Sequence, residues 1–267
     1  MEPISINEYL NSNNPWTKRL LGMSDFHKKR DVQQVENEYN LDKYARLVDF
    51  DFKTVEEYKL KEFEQVGLHP QTGTIFISQG DEIFKVSIPE MRKIYYDLIR
   101  SMLSKYASEN ICELGCGYGY NLGFSDKKMY GGEYAANAVK IAKKLGLDVS
   151  RFNYYEEKDY DLLRHDTTIF TAHSIEQIPD ANVIINNLAK HREKINYVIH
   201  FEPTVIHERT SLLGMMRNKY MEINDYNRNL LYVLQERNDV EILELKTDIF
   251  GLVPLNTTNL IVWKFKK

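Results

Sequence analysis

The chain has 267 residues, of which 43% are hydrophobic and 28% are charged, and its formal net charge is −4. This composition is typical of a globular protein, and the negative charge disfavours a nucleic-acid partner. No apolar run approaches the ~18 residues of a membrane span, and the first residues lack the layout of a signal peptide. We therefore expect a cytoplasmic protein with no membrane segment.

Cys112 and Cys116 are the only cysteines of the chain. A disulfide scaffold would need more of them, and so would a zinc site built on thiolates. We predict that both are small buried thiols beside the glycine-rich stretch that they flank, and that they hold no metal.

The first part of the chain, up to about residue 70, is polar and aromatic. Within residues 31–48, apolar and aromatic side chains recur at helical spacing, so we predict an extension of two or three helices. Two β-rich runs follow at 72–78 and 82–88, and the short turn between them predicts a hairpin. Residues 1–88 therefore form the predicted N-terminal extension.

The second part begins at Pro89, which predicts the start of a helix that continues to about Lys105. Beyond this helix, apolar strands alternate with helical segments. The predicted strands lie at 111–115, 129–135, 148–155, 167–173, 196–203, 240–247 and 259–265. The further predicted helices lie at 135–145, at 180–194 with Asp180 as the N-cap, and at 220–237.

This alternation predicts an α/β protein with a Rossmann-like, seven-stranded, mostly parallel sheet that is covered by helices on both faces. The last two strands have no helix between them. They therefore predict a hairpin, and with it an antiparallel C-terminal strand. We assign this fold to residues 89–267.

The stretch ICELGCGYGY places three glycines directly after the first predicted strand of this fold. In an open parallel sheet, ligands bind beyond the carboxyl ends of the strands, and glycine permits positive φ and close approach to the backbone. A dinucleotide fingerprint needs a glycine where Tyr120 stands, and a phosphate-binding loop needs a Gly-Lys-Ser/Thr that is missing. The pattern is instead Glu-x-Gly-x-Gly-x-Gly, formed by Glu113, Gly115, Gly117 and Gly119.

A second carboxylate, Glu133, ends the second predicted strand, where it can accept both hydroxyls of a ribose. Together with the glycine pattern, this residue resembles the class I S-adenosylmethionine-dependent methyltransferase family. The resemblance implies that S-adenosyl-L-methionine is the cofactor, with its ribose on Glu133. Asn153 stands where this family often has an aspartate beside the adenine. The cofactor-binding residues predicted in this way are Glu113, Gly115, Cys116, Gly117, Tyr118, Gly119, Glu133, Tyr134, Asn153, Tyr154 and His173.

Two later stretches extend the resemblance. AHSIEQIPD at 172–180 is similar to the family's motif after strand four, with Gln177 in place of the usual histidine. HFEP at 200–203 resembles the acidic exit from strand five. The resemblance covers about residues 110–267, whereas residues 1–109 carry none.

In this family the methyl group passes directly and in line to an acceptor, so the protein has to position both partners and in some members to remove a proton. We predict His173 and His200, at the exits of the fourth and fifth strands, as candidate general bases. Glu202 is a third candidate catalytic residue, which would bind an amine or hydroxyl of the acceptor. The alternatives are that the histidines are held by the backbone at strand ends and that Glu202 caps a helix.

Metal assistance is not expected. The stretch after strand four offers one carboxylate and no aspartate pair, and the spacing of His200, Glu202 and His207 matches no standard site. We predict no metal ligands.

Family members enclose the acceptor with an N-terminal extension and an insertion after strand five, and residues 1–88 and 204–219 are available for these roles. We therefore predict residues 1–88 to be a lid or acceptor-binding region. The partner implied is a small-molecule acceptor, a metabolite or sugar-like intermediate of small-molecule biosynthesis, methylated on oxygen or nitrogen. A protein or peptide methyltransferase and a non-catalytic cofactor-binding module remain alternatives, and a homodimer is left open.

Overall fold

One mixed sheet of ten strands organises the chain, of which a computed structural model describes residues 1–12 and 14–266. The strands are β1 (Glu2–Ile4), β2 (Thr74–Gln79), β3 (Glu82–Ser87), β4 (Asn110–Leu114), β5 (Lys128–Glu133), β6 (Val149–Arg151), β7 (Thr167–Ala172), β8 (Ile195–Glu202), β9 (Val240–Val253) and β10 (Asn256–Phe265). Their order across the sheet is β1-β3-β2-β9-β10-β8-β7-β4-β5-β6.

All seven predicted strands are present, as β4 to β10. Strands β4 to β8 pair in parallel, whereas β10 lies antiparallel between β8 and β9, which confirms the predicted antiparallel C-terminal strand. The sheet has ten strands instead of seven because the predicted hairpin, β2–β3, and the short β1 continue it beyond β9. The pairings make β1, β2 and β10 run against the other seven strands.

Gly251 allows the hairpin to join the sheet. Strand β2 meets β9 where Ser78 lies opposite Gly251. A Cβ atom at position 251 would collide with the Ser78 hydroxyl and lie 2.7 Å from the carbonyl oxygen of Val253. The absence of a side chain therefore permits this contact between the extension and the rest of the sheet.

Nine α-helices lie within the described residues. They are α1 (Ile6–Asn11), α2 (Trp16–Leu20), α3 (Val32–Val35), α4 (Val55–Gln65), α5 (Ile88–Tyr106), α6 (Ala136–Lys144), α7 (Asn182–Lys190), α8 (Leu212–Ile223) and α9 (Leu230–Glu236). A π-helical segment, Glu36–Lys43, directly follows α3, so the extension has more helical pieces than the two or three predicted. Short 3₁₀ turns lie at Tyr120–Gly123, Glu157–Leu162, Ile175–Gln177 and Arg192–Lys194.

Helix α5 begins as its sequence predicts. The Ser87 hydroxyl caps it by accepting a hydrogen bond from the Glu90 N–H, and Pro89 lies in the first turn, where its missing N–H is not needed. Residues such as Met91, Tyr95 and Ile99 then bury one apolar face of the helix against the sheet.

The helix predicted for 220–237 is wrong as a single element, because the chain breaks between α8 and α9. Asp225 has a φ of 53°, which an α-helix cannot contain. The Asn224 side chain donates to the carbonyl oxygen of Tyr220, and the Asn227 carboxamide oxygen accepts from the Leu230 N–H. These asparagine contacts end one helix and begin the next.

Asp180 is also not the N-cap of α7, which begins two residues later with Ala181 at the cap position. The Asp180 carboxylate instead accepts hydrogen bonds from the Asn182 N–H and from the Asn229 side chain. It therefore ties the start of α7 to the start of α9.

The sheet has an apolar layer on each face. In β8, Val198 packs into the cluster that holds α7 and α9, whereas Ile199 and Phe201 pack into the cluster that holds α5. This alternation is the period of two expected of a strand that is buried on both faces.

The N-terminal extension is anchored on α6. The carboxamide oxygen of Asn40 accepts from the Asn137 N–H at 2.8 Å, and the Asn137 side chain donates to the Asn40 carbonyl oxygen. The residue at the N-cap of α6, Ala135, has no side-chain oxygen, so the π-helical segment supplies the cap that α6 lacks. This contact holds the extension above the carboxyl ends of β4 and β5.

Candidate functional site

A cavity of about 480 Å³ lies between the carboxyl ends of the parallel strands and the N-terminal extension. Most of the residues predicted to bind a cofactor line it: Glu113, Gly115, Cys116, Gly117, Tyr118, Glu133, Tyr134, Asn153, Tyr154 and His173. Gly119, His200 and Glu202 are not among the lining residues. The cavity is therefore where open parallel sheets commonly bind ligands.

The turn after β4 needs glycine for conformation and for space. Gly115 and Gly117 have φ values of 78° and 56°. A Cβ atom on Gly115 would overlap the Ser174 side chain, and one on Gly117 would lie 2.6 Å from the Tyr44 hydroxyl oxygen. Both positions therefore bring other groups unusually close to the main chain.

Glu133 holds this turn against β5. Its Oε2 accepts from the Gly117 N–H at 2.8 Å and its Oε1 from the Ala135 N–H at 2.6 Å. Burial raises the pKa of the carboxyl, although the two N–H donors oppose that effect. Each carboxylate oxygen has a second lone pair, so both can still accept from a ligand hydroxyl.

Glu113 lies deeper, in β4. Its Oε1 accepts from the Asn121 side chain at 2.6 Å, whereas its Oε2 is buried with no hydrogen-bond partner among residues 1–12 and 14–266. Burial raises the pKa of this carboxyl to about 8. An unpartnered buried carboxylate oxygen beside a cavity is suited to a cationic donor from a ligand.

Asn153, Tyr154 and Tyr134 form the side of the cavity next to β5 and β6. The Tyr154 hydroxyl donates to the Leu114 carbonyl oxygen at 2.7 Å and lies 2.8 Å from the Ser174 hydroxyl, so it braces the glycine turn. The carboxamide oxygen of Asn153 accepts from the Tyr155 N–H at 3.1 Å. Tyr154 is therefore a structural support as well as a lining residue.

His173 borders the cavity at the exit of β7 in a left-handed conformation, with a φ of 52°. Its Nδ1 lies 3.2 Å from Oε2 of Glu176, and its Nε2 lies 2.7 Å from the Thr258 hydroxyl oxygen. Burial disfavours the charged ring, but the hydrogen bond to Glu176 and the charges of Glu176 and Glu202 together outweigh burial and raise the pKa of His173. An unusual backbone conformation of this kind is often retained at functional sites.

The prediction of His200 as a catalytic base is not supported by its position. The side chain is fully buried. Its Nδ1 lies 2.9 Å from the Thr171 hydroxyl oxygen, and its ring lies beside Trp263. Burial lowers the pKa of His200 to about 3, so the ring is neutral and internal. The alternative of a ring held by the backbone also differs from the structure, because the contact of the ring is with the Thr171 side chain.

Glu202 and Gly119 support the fold and do not line the cavity. Oε1 of Glu202 accepts from the Ser174 N–H at 2.9 Å and Oε2 from the Glu176 N–H at 3.1 Å, so this buried carboxylate caps the turn after β7. Burial raises the pKa of Glu202 to about 7. A Cβ atom on Gly119 would meet the side chains of Leu147 and Leu122, so this glycine allows packing and not ligand approach.

The N-terminal extension contributes charged lining residues that the sequence interpretation missed. Lys43 ends the π-helical segment, and Lys59 and Glu62 lie on α4. Both lysine ammonium groups lie 2.9 Å from the Glu62 carboxylate. Their only sequence signal is the i, i+3 spacing of Lys59 and Glu62, which exposed helix faces also show.

An apolar wall completes the cavity. It comes from α4, the hairpin, α5 and the end of β9 and consists of Phe63, Ile75, Met91, Tyr95, Tyr96, Leu252 and Val253. Apolar walls with few polar groups are typical of small-molecule sites. Within residues 1–12 and 14–266, no cluster of three or more His, Cys, Asp or Glu side chains could hold a metal ion. No helix in the same part of the chain is long and apolar enough to cross a membrane.

No family model matches the sequence, and no curated protein matches it. Among solved structures, magnesium protoporphyrin IX methyltransferase (ChlM) from Synechocystis PCC 6803 with bound SAH is similar, at 13% identity and a TM-score of 0.51, over 88% of this chain and 98% of that chain.

The same enzyme with bound SAM has a TM-score of 0.48, at 13% identity over 88% of this chain and 95% of that chain. N-methyltransferase NodS from Bradyrhizobium japonicum WM9 in complex with SAH has a TM-score of 0.46, at 11% identity over 66% of this chain and 87% of that chain. The similarity to the first structure spans nearly the whole of both chains. The chain therefore has the fold of the class I S-adenosylmethionine-dependent methyltransferases.

Proposed function

We propose that this protein is an S-adenosylmethionine-dependent methyltransferase that acts on an oxygen or nitrogen atom of a small molecule. The fold supports the reaction class, and the cavity supports the cofactor and the kind of acceptor. Because solved structures of this similarity establish the fold alone, the argument for function depends on the site residues.

The observation that carries the proposal is the arrangement of Glu133 and the glycine turn at one wall of the cavity. Glu133 is 7% exposed, and its two oxygens lie next to the Gly117 and Ala135 N–H groups. A ribose with two neighbouring hydroxyls could donate to both oxygens from the cavity side. Gly115 and Gly117 would let the rest of the cofactor lie against the main chain.

Glu113 provides an independent test of fit. Its Oε2, buried and without a partner among the described residues, would accept a hydrogen bond from the ammonium group of the cofactor's methionine portion. Asn153 and Tyr134 line the same cavity, where they would contact the adenine. When bound, S-adenosylmethionine supplies an activated methyl group on a positively charged sulfur, and the nearby carboxylates favour a cationic ligand.

The acceptor is proposed to bind against the apolar wall, next to His173. Nδ1 of His173 is held by Glu176, so Nε2 is the atom that would take a proton from the acceptor, in place of its hydrogen bond to Thr258. Positioning both reactants can supply much of the reduction in the activation barrier, on the order of 7–11 kcal/mol in favourable intramolecular reactions.

The division of the chain is part of the same proposal. Residues 1–88 would form the lid or acceptor-binding region and residues 89–267 the methyltransferase domain. The contribution of α4 and the hairpin to the cavity lining supports this division of roles.

The test is a calorimetric titration of S-adenosylhomocysteine into the wild-type protein, Glu133→Gln and Glu156→Gln. Glu156 is an exposed carboxylate outside the cavity and serves as the matched control. Loss of a charged hydrogen-bond acceptor predicts binding roughly 10- to 100-fold weaker for Glu133→Gln and no change for Glu156→Gln. No binding to the wild-type protein would refute the proposed cofactor, and equal binding to Glu133→Gln would refute the ribose contact.

A further inference from the structure

We propose that Lys59, on α4 of the N-terminal extension, binds the α-carboxylate of the cofactor's methionine portion, opposite the Glu113 carboxylate that receives the α-ammonium group. This inference rests on the proposed function. It makes the extension part of the cofactor site in addition to its role towards the acceptor.

Two lysine ammonium groups meet at one carboxylate beside the cavity. Lys43 and Lys59 both pair with Glu62, at 2.9 Å each, and the Tyr118 hydroxyl also donates to Glu62 at 3.0 Å. Two ammonium groups therefore share one carboxylate whose side chain is only 12% exposed. Each ammonium group therefore keeps N–H donors that Glu62 does not use, and such donors are suited to an anionic group of a ligand.

The two lysines have different surroundings. Lys43 lies 5.1 Å from the ring centroid of Tyr44, whose hydroxyl adjoins Gly117, so it belongs to the end of the cavity with Glu133. Lys59 lies 5.4 Å from the ring centroid of Tyr120, the neighbour in sequence of the Asn121 that binds Glu113.

The effects of the two lysine charges on the pKa values of Glu133 and Glu113 agree with this difference in surroundings. After the larger effects of burial and hydrogen bonding, Lys43 lowers the pKa of Glu133. Lys59 lowers the pKa of Glu113, after the larger effects of burial, of the Asn121 hydrogen bond and of the Glu133 charge. Of the two lysines, Lys59 is thus the one whose charge acts on Glu113. The ribose-binding residue proposed above lies towards the other lysine.

The chemistry of the ligand matches a carboxylate and an ammonium group side by side. A free α-amino acid group carries an ammonium and a carboxylate on the same carbon, so its recognition needs an anionic acceptor and a cationic donor close together. Glu113 offers an oxygen without a partner among the described residues. Lys59 has three N–H donors, of which the contact to Glu62 needs only one.

Lys59 is also charged at neutral pH. Burial works against its ammonium form, but Glu62 and Tyr96 together outweigh burial and raise the pKa of Lys59 above its usual range. The side chain is 24% exposed, so the ammonium group borders the cavity and is not sealed in the core.

The experiment is a cycle of two ligands and two proteins, followed by calorimetry. The ligands are S-adenosylhomocysteine and its decarboxylated analogue, in which hydrogen replaces the carboxylate. The proteins are the wild type and Lys59→Met, with Lys61→Met as a control on the same helix, where Lys61 pairs with Glu64 instead. Lys59→Gln, which can keep a hydrogen bond to Glu62, is the second variant in case Lys59→Met does not fold.

The inference predicts that Lys59→Met binds S-adenosylhomocysteine roughly 10- to 100-fold more weakly and binds the decarboxylated analogue as the wild type does. Lys61→Met should bind both ligands like the wild type. If Lys59→Met weakened the binding of both ligands by the same factor, the proposed role of Lys59 would be overturned. The proposed function would remain intact. If the wild type binds neither ligand, the proposed function and this inference both fail.

Discussion

Replacing the buried His200 with phenylalanine should make the protein more resistant to acid relative to its stability at neutral pH. The His200 side chain is fully buried, and its Nε2 has no hydrogen-bond partner among the described residues. A proton on this ring would put an unpaired charge beside Trp263. The folded protein therefore resists protonation of His200, whereas the unfolded chain does not.

The size of the effect follows from the pKa of His200, which is about 3 in the folded protein against an ordinary value of 6.5. Between these two values only the unfolded chain binds the proton, so the contribution of His200 to stability is present above pH 6.5 and is lost as the pH falls. At pH 4.5, two units below 6.5, the loss is about 2.7 kcal/mol at ~1.36 kcal/mol per unit.

The measurement is the free energy of unfolding in urea at pH 7.5 and at pH 4.5, followed by circular dichroism. The fall between the two pH values should be smaller for His200→Phe than for the wild type by about 2.7 kcal/mol. The lost contact to Thr171 lowers stability at both pH values and cancels in this difference. His165→Phe, at an exposed position, is the control. The same pH dependence in wild type and His200→Phe would refute the reasoning.

Three further predictions concern the glycine turn, the buried acid beside it and the loop before α9. Gly115→Ala should lower the free energy of unfolding, measured in urea, by at least ~2 kcal/mol, because the new side chain would have a strained positive φ and would also clash with Ser174. Gly146→Ala has the same strain, at φ 71°, but nothing within 4 Å, so it should lower that free energy by about 1 kcal/mol. The pKa of Glu113 is raised from 4.5 to about 8, so between these pH values the folded protein holds a proton on Glu113 that the unfolded chain has lost. The free energy of unfolding should therefore fall as the pH rises from 5.5 to 8.5, and Glu113→Gln should lessen that fall. Asn227→Ala should lower the thermal midpoint by several degrees, as it removes the 2.7 Å bond to the Ile178 carbonyl oxygen and leaves that oxygen buried; an unchanged midpoint would contradict this.

The strands could be predicted because each has a strong local signal. β4, β7 and β8 are short apolar runs between helical segments, and their parallel order follows from the alternation. The position of Glu133 at the cavity could also be predicted, since parallel strands end on the same edge of the sheet.

His200 and Glu202 show where the same argument fails. Both lie near the end of β8, but the end of a strand does not determine which side chains face the cavity and which face inward. Glu202 points to the N–H groups of the turn after β7, a contact between residues that are 26 and 28 positions apart. Such a cap becomes visible only when the two strand ends are placed side by side.

The lysines and Glu62 of the extension could not be predicted for a related reason. Lys43 and Lys59 precede the glycine turn by more than fifty residues and carry no motif. Their position depends on the contact between Asn40 and Asn137, which brings the extension over the cavity. Charged residues at helical spacing more often face solvent, so the pattern alone does not indicate a binding role.

The two outermost strands of the sheet, β1 and β6, contain three residues each. A wide sheet with long free margins would offer its unpaired peptide groups to other molecules and promote fibrous assembly. Here each margin exposes very little backbone, and Pro3, in the middle of β1, has no N–H to donate. Adding the hairpin and β1 therefore widens the sheet yet leaves only a short strand at each margin, which disfavours growth by strand addition.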